Sequence, residues 1–249
     1  MTRSFVFLLA LLLLTVSARA ADDTIRAAQT RLKQNGFYFG DVDGVYNGDT
    51  AAAVSRYQIR NGLPITGKLD AETVKSLGIS AGPQAAAQPN SETWRRLRKS
   101  DQQFLEHVKP APASPAASDA NYSSVLVLSP ERLRDYVGAF VLAGLDPEVG
   151  SELEFFADHV RYYNDGVVDR EKIRRDLQRY NTHWPQRRFW LAGEVKVEPQ
   201  ADSRLRVSFP LRYELRNHTK QSSGKVVKTL TVEVVGEDLQ IVEVNERKA

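Results

Sequence analysis

The chain has 249 residues, with 34 lysines and arginines against 31 aspartates and glutamates, and it contains no cysteine. This length allows two folded domains, and the lack of cysteine excludes disulfides, thiolate ligands and a cysteine nucleophile. Two of the 34 basic residues, Arg3 and Arg19, lie in the first 20, so the remaining chain has 32 bases against 31 acids, which disfavours a nucleic-acid-binding protein.

Residues 1–20 have the pattern of a secretory signal peptide. Arg3 precedes an apolar run from Phe5 to Val16, and Ala18 and Ala20 supply small residues before a cleavage site. The run is about twelve residues long, shorter than the roughly twenty that span a bilayer. We therefore expect a periplasmic or secreted protein with no membrane span once the leader is removed.

Residues 23–79 predict a domain of three short helices joined by two turn-rich loops. Ile25, Ala28 and Leu32 recur at helical spacing in the first helix. Asn47 and Asp70 are N-cap candidates for the second and third helices, which are predicted over Gly48–Arg60 and from Ala71. A threonine follows three residues after each cap, at Thr50 and Thr73. The domain is therefore a quasi-repeat of loop, cap and helix.

The loop sequence N-G-F-Y-F-G-D-V-D-G-V-Y-N-G-D-T, followed by A-V-S-R-Y-Q and N-G-L, resembles the small peptidoglycan-binding modules of bacterial cell-wall proteins. The matching positions are Gln29, Leu32, Gly36, Tyr38, Gly40, Asp43, Gly44, Tyr46, Thr50, Ala53, Val54, Tyr57, Gln58, Gly62, Leu63, Gly67 and Thr73. Asn47 replaces the glycine of the family pattern, and asparagine both tolerates left-handed backbone and caps helices. The resemblance implies a three-helix fold and peptidoglycan as partner.

Peptidoglycan has sugar rings, which can stack on aromatic side chains. It also has carboxylates, which can bind to loop amides or helix N-termini. The candidates for peptidoglycan binding are Tyr38, Asp43, Tyr46, Asn47, Tyr57 and Asn61. Each also has a structural interpretation. Asp43 is suited to hydrogen-bonding within its own loop, and Tyr57 lies at the helical spacing of a core residue.

Residues 80–128 are rich in proline and alanine and predict a linker. A helix interrupts it over 91–108, with Trp94 and Leu97 on its apolar side.

Residues 129–247 predict an α+β domain, because helices come first and a long antiparallel sheet follows. Ser129 caps a helix that ends at Leu145, and Pro130 occupies its first turn. The other predicted helices are Gly150–Ala157 and Asp169–His183. The predicted strands are His159–Tyr163, Arg188–Val197, Leu205–Arg216, Val226–Val235 and Leu239–Val244.

This order of elements resembles the nuclear-transport-factor-like (cystatin-like) cone fold, in which a curved sheet wraps around helices and leaves a pocket. The resemblance implies a pocket whose candidate lining is Asp158, His159, Tyr162, Trp184, Trp190 and Tyr213. Asp158 or His159 would serve as a general base if an aromatic wall buried it. The alternative is that the aromatic residues only form the core.

No catalytic motif of a wall hydrolase is present, so no catalytic residue is assigned. The four histidines have no paired metal-ligand spacing, and H-E-x-x-H and G-x-S-x-G are missing, so we expect neither a metal nor a cofactor. Ser222 to Lys225 spells S-x-x-K, but it falls in a predicted hairpin turn without the partner motifs.

Three functions stay open at this point. The first is a secreted, non-catalytic peptidoglycan-binding protein whose second domain binds a partner or a small ligand. The second is a wall-tethered enzyme with its active site in the pocket. The third is an assembly protein that forms a homodimer through exposed apolar residues of the sheet, namely Val207, Phe209, Val232 and Val234.

Overall fold

The computed structural model of the protein describes residues 23–80, 91–99, 129–146, 150–236 and 238–249. The helices are α1 (23–34), α2 (Gly48–Asn61), α3 (Ala71–Ser76), α4 (Ser91–Lys99), α5 (Pro130–Ala143), a 3-10 helix (Ser151–Phe155) and α6 (Arg170–His183). The strands are β1 (Phe156–Tyr162), β2 (Val167–Asp169), β3 (Gln186–Leu191), β4 (Lys196–Pro199), β5 (Arg204–Arg216), β6 (Gln221–Val235) and β7 (Asp238–Lys248). The predicted leader and most of the predicted linker lie outside the described residues.

Helices α1 to α3 form a helical module over residues 23–80, as the sequence predicts. The Asn47 side chain accepts a hydrogen bond from the Thr50 amide at 3.0 Å, and Asp70 accepts one from the Thr73 amide at 2.9 Å. Each cap satisfies one of the amides that a helix start leaves without a partner. Both predicted caps are confirmed.

The second half is an α+β sheet domain with strand order β2-β1-β7-β6-β5-β3, while β4 pairs with β5. The strands pair antiparallel except for β1 and β7, which run parallel. Helix α5 lies against this sheet, and the buried Tyr136 hydroxyl donates to the Leu239 carbonyl at 3.0 Å. The α+β class is confirmed, but the sheet is mixed rather than purely antiparallel.

The predicted strand over 188–197 is instead two strands, β3 and β4, because both pair with β5 on either side of Pro210. Proline has no N–H to donate, so the ladder is interrupted beside it. A side chain at Gly193 would also meet the Pro210 ring at 2.8 Å. The short β2, and the extension of β6 back to Gln221, were not predicted.

Helix α4 joins the helical module to the sheet domain. Trp94 and Leu97 of α4 are buried in the same hydrophobic cluster as Ile59 and Ile65 of the module and Leu133 of α5. A side chain at Gly138 of α5 would meet Ile59 Cδ1 at 2.1 Å, so the small residue permits close contact between α2 and α5. The Ile65 amide also donates to the Phe189 carbonyl of β3 at 2.9 Å.

The dimer hypothesis needs exposed apolar residues on the sheet, and the structure places them inside. Val207, Phe209 and Val232 are fully buried, and Val234 packs against the same core. These side chains face the helices because alternate residues of a strand point to one face. The expectation of exposure was wrong, so this observation no longer favours a dimer.

Candidate functional site

The first loop of the helical module is organised by the buried amide of Gln29. Its nitrogen donates to Asp43 Oδ1 at 2.9 Å, to the Val45 carbonyl at 3.1 Å and to Thr50 Oγ1 at 3.2 Å. Its oxygen accepts from the Gly44 amide at 2.9 Å. One side chain on α1 therefore fixes the loop that leads into α2.

The second loop is organised in the same way by the buried amide of Gln58 on α2. Its oxygen accepts from the amides of Thr66 and Gly67 at 3.0 and 2.9 Å. Its nitrogen donates to the Lys68 carbonyl at 3.0 Å and to Thr73 Oγ1 at 2.9 Å. The quasi-repeat thus includes a glutamine in each unit, and this role of the glutamines was not predicted from the sequence.

Three predicted peptidoglycan contacts are tyrosines whose hydroxyls bond within the module. The buried Tyr38 donates to the Asp41 carbonyl at 2.8 Å, and Tyr46 donates to the Gly67 carbonyl at 2.5 Å. The buried Tyr57 donates to the Ser76 carbonyl at 3.0 Å. Burial raises the pKa of both Tyr38 and Tyr46. Their role in wall binding stays a prediction.

The other three candidates are exposed residues with internal contacts. Asp43 accepts from the Val45 amide at 2.9 Å and from Gln29, and these bonds lower the pKa of its carboxyl group. Asn47 caps α2, and the Asn61 amide donates to the Tyr57 carbonyl at 2.8 Å. The first loop also contains Val45, an apolar residue that is 54% exposed and whose side chain makes no hydrogen bond.

A second candidate site is a cavity of about 680 Å³ in the sheet domain, between the sheet and helices α5 and α6. This volume is within the range of small-molecule sites, roughly 300–1,000 Å³. Its lining includes eight aromatic residues: Phe140, Phe156, Tyr162, Tyr163, Tyr180, Trp184, Phe189 and Tyr213. Among the residues that the structure describes, no cluster of histidine and acidic side chains is placed to hold a metal ion.

Glu152, on the 3-10 helix, is the buried carboxylate of this cavity and is only 5% exposed. Burial raises its pKa, and a hydrogen bond from its own backbone amide and the charge of Arg187 oppose that shift. Neither its residue type nor its position in S-E-L-E-F distinguishes it in the sequence from the exposed Glu154. Glu152 was therefore not predicted from the sequence.

Lys228 is the cation of the cavity, and it is also absent from the predicted site. Its ammonium group donates to the Tyr163 hydroxyl at 2.9 Å and to Glu246 Oε2 at 3.1 Å. Burial disfavours the charge, but Tyr163 and Glu246 outweigh burial and raise the lysine pKa. A signal was present, because Lys228 lies in phase with the buried Leu230 and Val232 on one face of β6.

The structure brings together only part of the predicted pocket. Tyr162, Trp184 and Tyr213 line the cavity. Asp158 and His159 do not, because they are exposed on β1, with the Asp158 side chain 86% exposed. Asp158 lies in the stretch between Phe156 and Arg161 where the pairing of β1 with β7 shifts register.

Trp190 lies in a different cleft, between α2 and β3, lined also by Arg60, Arg134 and Arg212. The Arg212 guanidinium stacks 4.1 Å from the centre of the indole ring, and Arg188 lies 5.2 Å from it. Trp190 therefore belongs to the boundary between the two halves of the molecule and not to the cavity.

Residues 21–77 match the family model described as "Putative peptidoglycan binding domain". The helical module is a peptidoglycan-binding-like domain. The match covers the two glutamine-centred loops and all three helices of the module.

Two curated proteins are similar to this chain over a stretch about as long as this domain. The spore cortex-lytic enzyme of Bacillus cereus is 41% identical over 58 residues, which are 23% of this chain and 22% of that protein. The localization factor PodJL of Caulobacter vibrioides is 42% identical over 62 residues, which are 25% of this chain and 6% of that protein. The chain thus spans less than a quarter of the length of either relative.

Solved structures resemble parts of this chain weakly. A "Putative calcium/calmodulin dependent protein kinase II association domain" from Xanthomonas campestris aligns at 14% identity with a TM-score of 0.40, over 57% of this chain and 96% of that one. A protein with a cystatin-like fold from Nostoc punctiforme aligns at 12% identity with a TM-score of 0.37, over 45% of this chain and 88% of that one. The cone-like description of the sheet domain rests on its own topology and cavity.

Neither the peptidoglycan-binding-like domain nor the other described segments contain a helix with the length and apolar character that crossing a bilayer requires.

Proposed function

We propose that this protein is an exported, non-catalytic cell-wall protein that binds peptidoglycan through its helical module and carries a ligand- or partner-binding sheet domain. The observation that supports wall binding is the family match over residues 21–77, together with two loops fixed by Gln29 and Gln58. Export is proposed from the pattern of residues 1–20. The protein would then be periplasmic or secreted and associated with the wall.

The module surface is suited to weak binding repeated along a polymer. Its polar side chains are largely engaged inside the module, so few anchors remain, and a dissociation constant of about 0.1–1 mM per site is expected. A repeating glycan compensates through avidity. Sedimentation with intact sacculi therefore measures this binding better than a titration with one fragment.

The test is sedimentation of the full chain, lacking only residues 1–20, with purified sacculi. Val45→Ser removes exposed apolar surface from the first loop, and we expect about fivefold weaker retention, the effect of roughly 1 kcal/mol. Val167→Ser is the matched control, because Val167 is a 63% exposed valine on β2 of the sheet domain. Absence of the unmodified chain from the sacculus pellet would refute wall binding. Equal losses in both variants would place the contact outside the first loop.

Export is tested separately, by fusing residues 1–20 to a reporter enzyme that is active only outside the cytosol. A deletion of the apolar run from Phe5 to Val16 is the control and should abolish reporter activity. Activity that does not depend on this run would contradict the leader assignment.

A second candidate function, a wall-tethered enzyme, is favoured by one observation. Glu152 is a buried carboxylate in a cavity, and such groups are suited to acid–base chemistry. Chromatography of the material released from sacculi distinguishes the two functions. The non-catalytic proposal expects no new muropeptides, whereas products that disappear with Glu152→Gln would support the enzyme.

A further inference from the structure

The charges that line the cavity of the sheet domain are paired, with one exception. Lys228 is paired with Glu246, and Lys172 bridges the two lining acids, to Asp165 at 2.8 Å and to Asp176 at 2.5 Å. Glu152 differs, because no lysine, arginine or histidine among the described residues lies within ion-pair distance of its carboxylate. The cavity therefore contains one buried carboxylate that no described cation pairs with directly.

Arg187 is the cation whose field reaches Glu152, but its hydrogen bonds go elsewhere. The guanidinium donates to Asn181 Oδ1 at 2.5 Å, to the Trp184 carbonyl at 3.2 Å and to the Gly144 carbonyl at 2.9 Å. These contacts tie Arg187 to the end of α6 and to the turn after α5. It supports the wall of the cavity and leaves the carboxylate of Glu152 available.

The walls around this carboxylate are aromatic. Phe156 and Tyr162 meet edge to face at 6.4 Å between ring centres, and Tyr180 and Trp184 line the α6 side. Aromatic faces attract organic cations and also cover apolar bodies. Burying a charge is costly unless it is paired, so an incoming cation would regain the energy that Glu152 loses by burial.

We propose that the cavity binds a small organic amine with an apolar or aromatic body, whose ammonium group pairs with Glu152. The inference deepens the ligand-binding part of the proposed function and does not depend on wall binding. Glu152 is the one charged residue of the lining without an ion-pair partner in the described part of the chain, and its negative charge favours a cation over an anion.

The test compares three probes with the same phenylethyl body on the full chain lacking only residues 1–20. These are 2-phenylethylamine as the cation, 2-phenylethanol as the neutral analogue and 3-phenylpropanoate as the anion. We expect the amine to bind at least about tenfold more tightly than the alcohol, because hydrogen bonds to charged groups are the stronger ones. The anion should bind weakest.

Nuclear magnetic resonance of the tryptophan side chains locates the bound probe. Trp184 lines the cavity, whereas Trp94 lies in the core on α4 and Trp190 in the separate cleft. The indole N–H signal of Trp184, assigned with Trp184→Phe, should shift on titration with the amine. A shift confined to Trp94 or Trp190, or no shift with any probe, would overturn the inference.

Glu152→Gln keeps the shape and removes the charge, and we expect it to weaken amine binding about tenfold while alcohol binding changes less than about twofold. Glu154→Gln is the matched control, since Glu154 is exposed on the same 3-10 helix and pairs with Arg95 instead. Unchanged amine affinity in Glu152→Gln would overturn the proposal. If that variant does not fold, the amine-to-alcohol ratio of the unmodified chain decides, and a ratio near one refutes it.

Sacculus retention separates this outcome from the wall-binding proposal. Glu152→Gln should sediment like the unmodified chain, because Glu152 is not part of the helical module. Loss of amine binding with normal sedimentation would concern the cavity alone.

Discussion

Two carboxylates of the described residues are buried in very different settings, one at the contact between the two halves of the molecule and one in the cavity. Asp135 on α5 is fully buried and meets both Arg56 Nε at 3.2 Å and Arg60 Nη1 at 2.7 Å. Glu152 is almost as buried and meets no described cation. The carboxylate of Asp135 forms ion pairs that join the two halves of the molecule, whereas the carboxylate of Glu152 remains available for a ligand. Burial alone therefore does not distinguish a structural acid from a functional one. The presence or absence of an ion-pair partner does.

Asp135→Asn should have the largest effect in this comparison. The change leaves two arginines facing a neutral amide in a buried contact, and losing one partner of a buried ion pair costs about 3–5 kcal/mol. We expect the free energy of unfolding, measured by urea denaturation, to fall by about 4 kcal/mol.

Glu131→Gln is the control for that change, because Glu131 also pairs with Arg60, at 2.5 Å, but is partly exposed. It should cost less than about 1 kcal/mol. Equal losses for the two variants would mean that burial of the pair has no special importance.

Gln58→Ala should have a somewhat smaller effect, confined to the module. The Thr66 and Gly67 amides would lose their acceptor, and unsatisfied buried groups cost about 1–3 kcal/mol each. We expect a loss of about 3 kcal/mol by urea denaturation. Gln34→Ala, at an exposed glutamine of α1, serves as the control and should change stability by less than about 0.5 kcal/mol. A small loss in Gln58→Ala would contradict the role assigned to the second loop.

Glu152→Gln should have the smallest effect and the opposite sign. Burial raises the pKa of Glu152, so the folded state binds its proton more tightly than the unfolded state does. The stability of the unmodified chain then falls, relative to the variant, as pH rises from the ordinary glutamate pKa through the raised one. The variant should be more stable by about 1 kcal/mol above that window and equal to the unmodified chain below it.

Thermal denaturation of both chains across this pH range measures the difference. A variant that is less stable at neutral pH would show that Glu152 has a stabilising partner, and it would remove the contrast with Asp135.

The sequence predicted the parts of the fold that depend on neighbouring residues. The N-caps at Asn47, Asp70 and Ser129 are confirmed, because a cap and the amide it serves lie within three residues. The family resemblance is confirmed for the same reason, since its pattern lies within one continuous segment.

What the sequence did not predict depends on distant partners. The parallel pairing of β1 with β7 joins residues about eighty positions apart, and the exposed Asp158 lies where the register of that pairing shifts. The burial of Ile59 and Ile65 against α4 and α5 is likewise set by tertiary packing. Glu152 gave no local signal, whereas Lys228 could have been found from its phase on β6.

The shared core of α2, α4 and α5 has a mechanical consequence for a protein held at a surface. Ile59 of the module lies in one hydrophobic cluster with Leu97 and Leu133. A force applied to the module is therefore transmitted to the sheet domain through this packed core. If peptidoglycan holds the module, the cavity therefore stays at a fixed distance from the wall and in a fixed orientation relative to it.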